Sequence, residues 1–323
     1  MTRRRALIAA GIAAALPVAR ARAAEPDWPD ALLLATASAG GTYYAYGLGL
    51  ARVLTRDLGI AVRVRETTGP NENLLLLERG EVRLAFVTTG AAAQAWAGAA
   101  PWTGGRPLRA ARALFAMYDT PFHFVVRRDA TARRIGDLAG ARVGMGPEGG
   151  TGAEYEPRLL ADLGVEVRPV FGSWEDLAAR FRAGEIDAIA VAAGAPFPAI
   201  AGLEAQRAIR YLTLSRAEVA RARLAAPELG ASVIPAGTYP SLMADYETVG
   251  LYNLAVAHER MPQSLAFEIV RAVFDSHAEM MEAHPAAAAT VPGNFVRNAV
   301  LPWHPGALRY YASRGGTGVL RGD

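Results

Sequence analysis

Residues 36–54 read TASAGGTYYAYGLGLARVL, and residues 141–164 read ARVGMGPEGGTGAEYEPRLLADLG. In each, a run of small and apolar residues passes through Gly-Gly-Thr (Gly40-Gly41-Thr42, then Gly149-Gly150-Thr151) into a segment with helical period. Each therefore predicts a strand, a glycine turn and a helix. The sequel recurs as well: ERGEVRLAFV at 78–87 and RAGEIDAIAV at 182–191 both read as a helix closed at Gly-Glu before a buried strand. The recurrence predicts two α/β lobes of similar build, each with a parallel sheet covered by helices on both faces. In open sheets of this kind ligands sit beyond the carboxyl ends of the strands, where glycine turns lead into helices. Two such turns then face each other across a cleft.

Around these units, strands are expected at 32–36, 61–69, 82–87, 122–129, 141–146, 165–170, 186–191 and 251–258. Helices are expected at 43–58, 71–80, 151–164 and 173–184, with one long amphipathic helix beginning near Pro262 and a short one after Pro305. Pro157 lies inside the fourth segment of helical period, where it is expected to kink the helix or delay its start. The chain is expected to cross to the second lobe near Pro121 and to return near Pro235. That assigns residues 24–121 and 234–323 to lobe 1 and residues 122–233 to lobe 2, with hinges at 117–122 and 233–237.

Residues 1–23, MTRRRALIAAGIAAALPVARARA, combine a basic start, an apolar run and an Ala-Arg-Ala close. This is the form of an export signal, and its apolar run is shorter than the roughly 20 residues a membrane-crossing helix needs. Thr2 to Leu7 are similar to the twin-arginine export pattern, with Ala6 where a bulky aromatic is usual. The segment holds five of the 34 basic residues and no acid, so the remainder carries 29 basic against 31 acidic groups. The basic balance of the whole chain thus belongs to the signal, which removes the main support for a nucleic-acid partner. All the basic residues are Arg and there is no Cys. Schiff-base lysine, thiol nucleophile and thiolate metal sites are thereby excluded.

Three chemistries compete for the glycine turns. Gly144, Gly146 and Gly149 fit the spacing G-x-G-x-x-G with Glu166 downstream, but Pro147 removes an N–H from the loop that would cradle a pyrophosphate. Thr36 to Gly40 resemble a nucleophile elbow around Ser38, yet none of His123, His258, His277, His284 and His304 lies in a pattern that marks a base. No His-rich or carboxylate-rich metal spacing is present, and Glu72 and Glu78 read as solvated. Binding without chemistry uses the turns directly. Unpaired N–H groups at a helix N-terminus hold a carboxylate or similar anion, Gly40 and Gly41 admit it to the backbone, and Thr42 adds a hydroxyl. Of Tyr43 and Tyr44, one is expected to face the cleft and the other the core. No cofactor and no metal are expected.

The blocks SAGGTYYAYGLGLARVL, TTGPNENLLLLERGEVRLAFV, PFHFVVRRD, IGDLAGARVGMGPEGGTG, FRAGEIDAIAVAAGAPFPAI, IPAGTYPSL and PWHPGALRYY, in that order, resemble the TAXI family. These are solute receptors associated with tripartite ATP-independent periplasmic (TRAP) transporters. The resemblance implies a type II periplasmic-binding-protein fold that closes on a small organic anion, such as a dicarboxylate or an amino acid, and delivers it to a membrane permease; the alternative partner for a receptor of the same fold is a sensor or an ABC-type transporter. A periplasmic monomer is expected. It places ligand contacts on Ser38, Gly40, Gly41, Thr42, Tyr43 and Tyr44, on Asn73, on Thr88 and Thr89, on Gly149, Gly150 and Thr151, and on Gly194 and Pro196. Trp174 and Phe197 are candidates to line the second lobe. Thr88-Thr89-Gly90 stands where many members carry a Gln-Ser-Asp type run, which removes a partner for a ligand ammonium and makes an amino acid less secure than another organic acid. Arg65 and Arg112 are the available carboxylate clamps, with solvent exposure the better reading of both.

Overall fold

The computed structural model describes residues 27–206 and 209–315. The expected export signal and the last eight residues lie outside them. Strands β1 (Ala31–Ala35), β2 (Ala61–Arg65) and β3 (Leu84–Thr88) pair in parallel in the order β2-β1-β3, and β5 (Arg142–Gly144), β6 (Arg168–Val170) and β7 (Ala188–Ala192) pair in parallel as β7-β5-β6. Between the two trios run the long strands β4 (Ala111–Arg127) and β10 (Tyr246–His258), antiparallel to each other and to their neighbours β7 and β3. The sheet is therefore mixed. The expectation of parallel sheets holds only for the outer trios, because residues 111–121 continue the strand that the sequence suggests begins at Phe122. Short strands β8 (Ile209–Leu212) and β9 (Gly230–Ile234) pair with β4 and β10.

The partners of β4 change at one point. Up to Pro121 it pairs with β10, and from Phe122 it pairs with β7 and then also β8. Proline has no N–H to give a ladder, and the break in pairing falls where that donor is missing. The return is carried by β10, whose residues 246–250 pair with β9 before 251–258 pair with β4 and β3. Ile234, Tyr239, Leu242 and Tyr246 belong to the same core as Trp174 and Ile189. Residues 234–249 thus pack with the second half of the sheet, and the return lies near Gly250 rather than Pro235.

Helix α1 (Thr42–Leu58) buries Tyr46, Leu50, Val53, Leu54 and Leu58 at helical spacing and ends at Gly59, whose φ of 69° suits a residue without Cβ. Helices α2 (Pro70–Glu78) and α3 (Thr89–Ala97) cover the opposite face of this half, which gives it two apolar cores. In the second half, α4 (Thr151–Asp162) and α7 (Arg216–Ala225) cover one face, and α5 (Trp174–Ala183) and α6 (Pro198–Gln206) the other. Helix α4 contains Pro157 and still starts at Thr151, so the start is not delayed. The long helix expected from Pro262 is two helices, α8 (Gln263–Asp275) and α9 (His277–Ala283). They part at Ser276, whose backbone leaves the helical region and whose hydroxyl meets Arg56 and Asp57 of α1. Helix α10 (Pro305–Ser313) packs on α8. No helix among the described residues is long and apolar enough to cross a membrane.

Candidate functional site

Helices α1, α2 and α4 share a feature at their starts. Their N-cap residues are Gly41, Gly69 and Gly150, and none of the three N-caps makes a side-chain capping bond. Thr88, Ser173 and Ser215 cap α3, α5 and α7 through their hydroxyls, while α8 and α9 also begin without a side-chain cap but not at a glycine. The first helical bonds of α1 and α4 are made by Ala45 and Glu154. The amides of residues 42–44 and 151–153 therefore precede the helical ladder and carry the positive end of each helix dipole.

These three helix starts converge on one cavity with the segment after β7. Its volume is about 60 Å³, taken as the space open to the centre of a water-sized sphere. At roughly 10–15 Å³ per water-sized sphere, it accommodates about four to six of them. Its polar lining residues are Ser38, Thr42, Tyr43, Thr68, Thr120, Thr151 and Trp174, and no charged residue lines it. Trp174 and Phe197 form an apolar wall with ring centroids 4.8 Å apart. Such a lining attracts an anion through oriented amides and offers no anionic partner to a cation.

Across the cavity the two halves of the sheet touch. The Thr42 hydroxyl donates to the Gly194 carbonyl at 2.7 Å, and a Cβ placed on Gly69 would stand 3.2 Å from Gly150 Cα. His284, which directly follows α9, bonds the Pro196 carbonyl through Nε2 at 3.1 Å. Its Nδ1 accepts from the Ala286 amide. Both bonds are satisfied only by the neutral ring with the proton on Nε2, and burial lowers the pKa accordingly.

Of the residues expected to contact a ligand, the cavity is lined by Ser38, Gly41, Thr42, Tyr43, Gly150, Thr151, Trp174 and Gly194. Tyr43 faces it while its hydroxyl donates to Asn253 Oδ1 at 2.6 Å; Tyr44 is half-buried and outside the lining, and the deep core position belongs to Tyr46. Gly40 and Gly149, with φ of 78° and 80°, shape the turns behind the lining. Asn73 is a correction. Its Nδ2 donates to the carbonyls of Thr36 and Phe86, each at 2.7 Å, and its Oδ1 accepts from Thr67, so the side chain ties β1 to β3. Thr88 is another, its hydroxyl being the cap of α3, and Thr89 is the first residue of that helix. Pro196 is outside the lining and follows a cis peptide bond.

Thr68, Gly69, Pro70, Thr120, Met145 and Pro147 line the cavity and were not expected there. Gly69-Pro70 before an apolar helix is the legible signal among them, since it opens α2 as Gly41-Thr42 opens α1. Arg65 and Arg112 pair with Glu81 and Glu259 away from the lining. No imidazole bonds Ser38 among the described residues: His123 bonds Tyr239, His258 takes the Arg260 amide, and His277 and His304 bond the carbonyls of Ala287 and Met261. Nor do the described residues hold a group of three or more potential metal ligands.

A family model described as the NMT1-like family matches residues 34–315. Among solved structures, the periplasmic binding protein BugD is similar at 13% identity over 89% of this chain and 94% of its own, with a TM-score of 0.59. MatC (Rpa3494) from Rhodopseudomonas palustris with bound malate is similar at 14% identity over 89% and 98%, also with a TM-score of 0.59. These likenesses show the fold, that of periplasmic binding proteins.

Proposed function

The chain belongs to the NMT1-like family, and from that premise we propose that it is an extracytoplasmic solute receptor which closes on a small organic anion without chemical conversion. The observation that carries the reading is the meeting of three glycine-started, uncapped helices at one uncharged cavity. Micromolar affinity corresponds to about 8 kcal/mol. Several charge-assisted hydrogen bonds from free amides, at roughly 1.5–3 kcal/mol each, supply it once ordering costs are subtracted. The lack of a lining acid disfavours an amino acid, whose ammonium would lack a partner. The malate in MatC, on the same fold, makes hydroxy and dicarboxylic acids a sensible first panel.

The finer reading is a TAXI-type receptor, exported by residues 1–23 and handing its solute to a TRAP-type permease; it rests on the ordered sequence blocks. The two halves of the sheet are then lobes that hinge at Pro121 and Gly250, where strand partners change. The test is calorimetric titration of residues 24–323, stripped of copurified solute, with C3 to C5 mono- and dicarboxylates, malate included, and with the corresponding amino acids. Saturable binding of acids is expected. Binding confined to amino acids, or absent throughout, would overturn the reading.

A further inference from the structure

Behind the α4 wall of the cavity lies a buried carboxyl that neither the sequence motifs nor the proposed function uses. Glu156 is 0% exposed, and neither of its oxygens has a hydrogen-bond partner among the described residues. A buried polar group without a partner is costly, so its retention asks for a reason. The nearby Arg158 is turned to Asp162 and Glu228 instead.

The position of the carboxyl is set by helix geometry. Glu156 follows Gly152 by four residues, so the two share one face of α4, and helical side chains lean toward the N-terminus of their helix. That direction is toward the cavity. A Cβ on Gly152 would stand 3.0 Å from Glu156 Oε2 and 2.8 Å from the Met145 carbonyl oxygen, and both Gly152 and Met145 line the cavity. Glu156 is not itself in the lining; with no side chain at 152, the helix turn at Gly152 lies between the carboxyl and the solute space.

We propose that Glu156 is a specificity-determining residue of this cavity, presenting a carboxylic acid O–H past Gly152 to an acceptor oxygen on the solute beside its carboxylate. The inference rests on the proposed function and narrows it: the solute is a small 2-oxo or 2-hydroxy acid. The free amides of α1 and α4 take the carboxylate, and the acid takes the neighbouring oxygen. Burial holds the Glu156 carboxyl protonated by raising its pKa well above the ordinary value. The neutral form suits the site, since an ionised group there would repel the anion and offset the positive helix end that attracts it. A C3 or C4 acid matches the space for about four to six water-sized spheres.

The experiment compares wild type, Glu156→Leu and Glu156→Gln by calorimetry with matched acids: propionate against lactate and pyruvate, and succinate against malate. Wild type is expected to favour the oxygen-bearing member of a pair by about tenfold or more, within the discrimination that a hydrogen-bonding site achieves. Leu at 156 removes an unpartnered buried group, so the fold should persist, and the preference should fall to within about twofold with the affinity for the plain acid kept. Gln, which still has a donor, should retain most of the preference. An unchanged preference in Glu156→Leu, or no preference in wild type, would overturn this inference and leave the anion receptor standing. Failure of wild type to bind any of the five acids would overturn both.

Discussion

Thr42→Val separates closure from folding. The Thr42 hydroxyl donates to the Gly194 carbonyl across 152 positions of sequence, at 2.7 Å and out of reach of solvent. Thr42 begins α1 in one half of the sheet and Gly194 follows β7 in the other. Valine keeps the shape of the side chain and deletes the donor, leaving the carbonyl buried without its partner whenever the halves meet. Such a loss is worth about 1–3 kcal/mol. With the halves apart, water reaches the carbonyl and the loss vanishes, so it falls on the closed form alone. The dissociation constant for the tightest acid of the panel should therefore rise by about 5- to 150-fold, while the ligand-free melting temperature stays within about 2 °C. Calorimetric titration measures the first and scanning calorimetry the second, and Thr42→Ser, which restores the hydroxyl, should recover most of the affinity. Affinity within about twofold of wild type would refute the reasoning. So would a ligand-free destabilisation as large as the loss of binding, because the bond would then serve the fold itself.

Gly150→Ala places a Cβ 3.0 Å from the Pro147 carbonyl oxygen and 3.3 Å from that of Thr68, at a backbone conformation alanine accepts (φ −77°). Overpacking of this kind costs about 1–3 kcal/mol, so binding should weaken about tenfold, and equal affinity by titration would show that the walls need not approach. Asn73→Leu removes three buried hydrogen bonds between β1, β3 and Thr67. It should lower the free energy of unfolding in urea by about 3 kcal/mol or more, and a loss under about 1 kcal/mol would contradict its bracing role. Glu156 is protonated in the folded chain and ionises in the unfolded one above its ordinary pKa of 4.5, so the folded form binds the extra proton. Stability is then full below that pKa and falls as pH rises toward the raised value, by up to about 1.4 kcal/mol per pH unit. Urea unfolding at pH 5 and 7 should show this slope relaxed by about that amount in Glu156→Gln, and parallel profiles would count against a neutral Glu156.

The β1–α1 and β5–α4 units were legible because hydrophobic period and glycine turns are local properties of the chain. The central antiparallel pair was not. ARALFAMYDTPFHFVVR at 111–127 carries Asp119 and Pro121 in mid-run, which locally reads as an interruption, and only the facing residues of β10 make it one strand. The break at Ser276 was hidden for a similar reason, since the groups that meet its hydroxyl lie some 220 residues away. Gly41, Thr42, Gly150 and Thr151 of the candidate site followed from the Gly-Gly-Thr repeat. Asn73 and Thr88 misled because a polar side chain near a cleft can turn to the ligand or to a carbonyl beneath it, and the carbonyls of Thr36 and Phe86 are placed by the tertiary fold. Glu156 was within reach of the sequence. Gly152, Tyr155, Glu156, Leu159 and Leu160 follow the period of a buried helix stripe, and a lone acid on such a stripe marks a group with something to do.

The glycine starts of α1, α2 and α4 also bear on how this pocket responds to mutation. A recognition surface written largely in main-chain amides leaves an alanine scan little to remove. Apart from Thr42, truncating side chains around the pocket will report small effects and suggest a diffuse, unimportant surface. The informative replacements are those that add atoms, at Gly41, Gly69 or Gly150, or that supply a competing cap where none exists. An aspartate at position 41 or 150 would bring its own carboxylate to the helix end and act as a tethered inhibitor of the solute. Main-chain amides do not titrate, so the proposed anion site would keep its donors as pH changes.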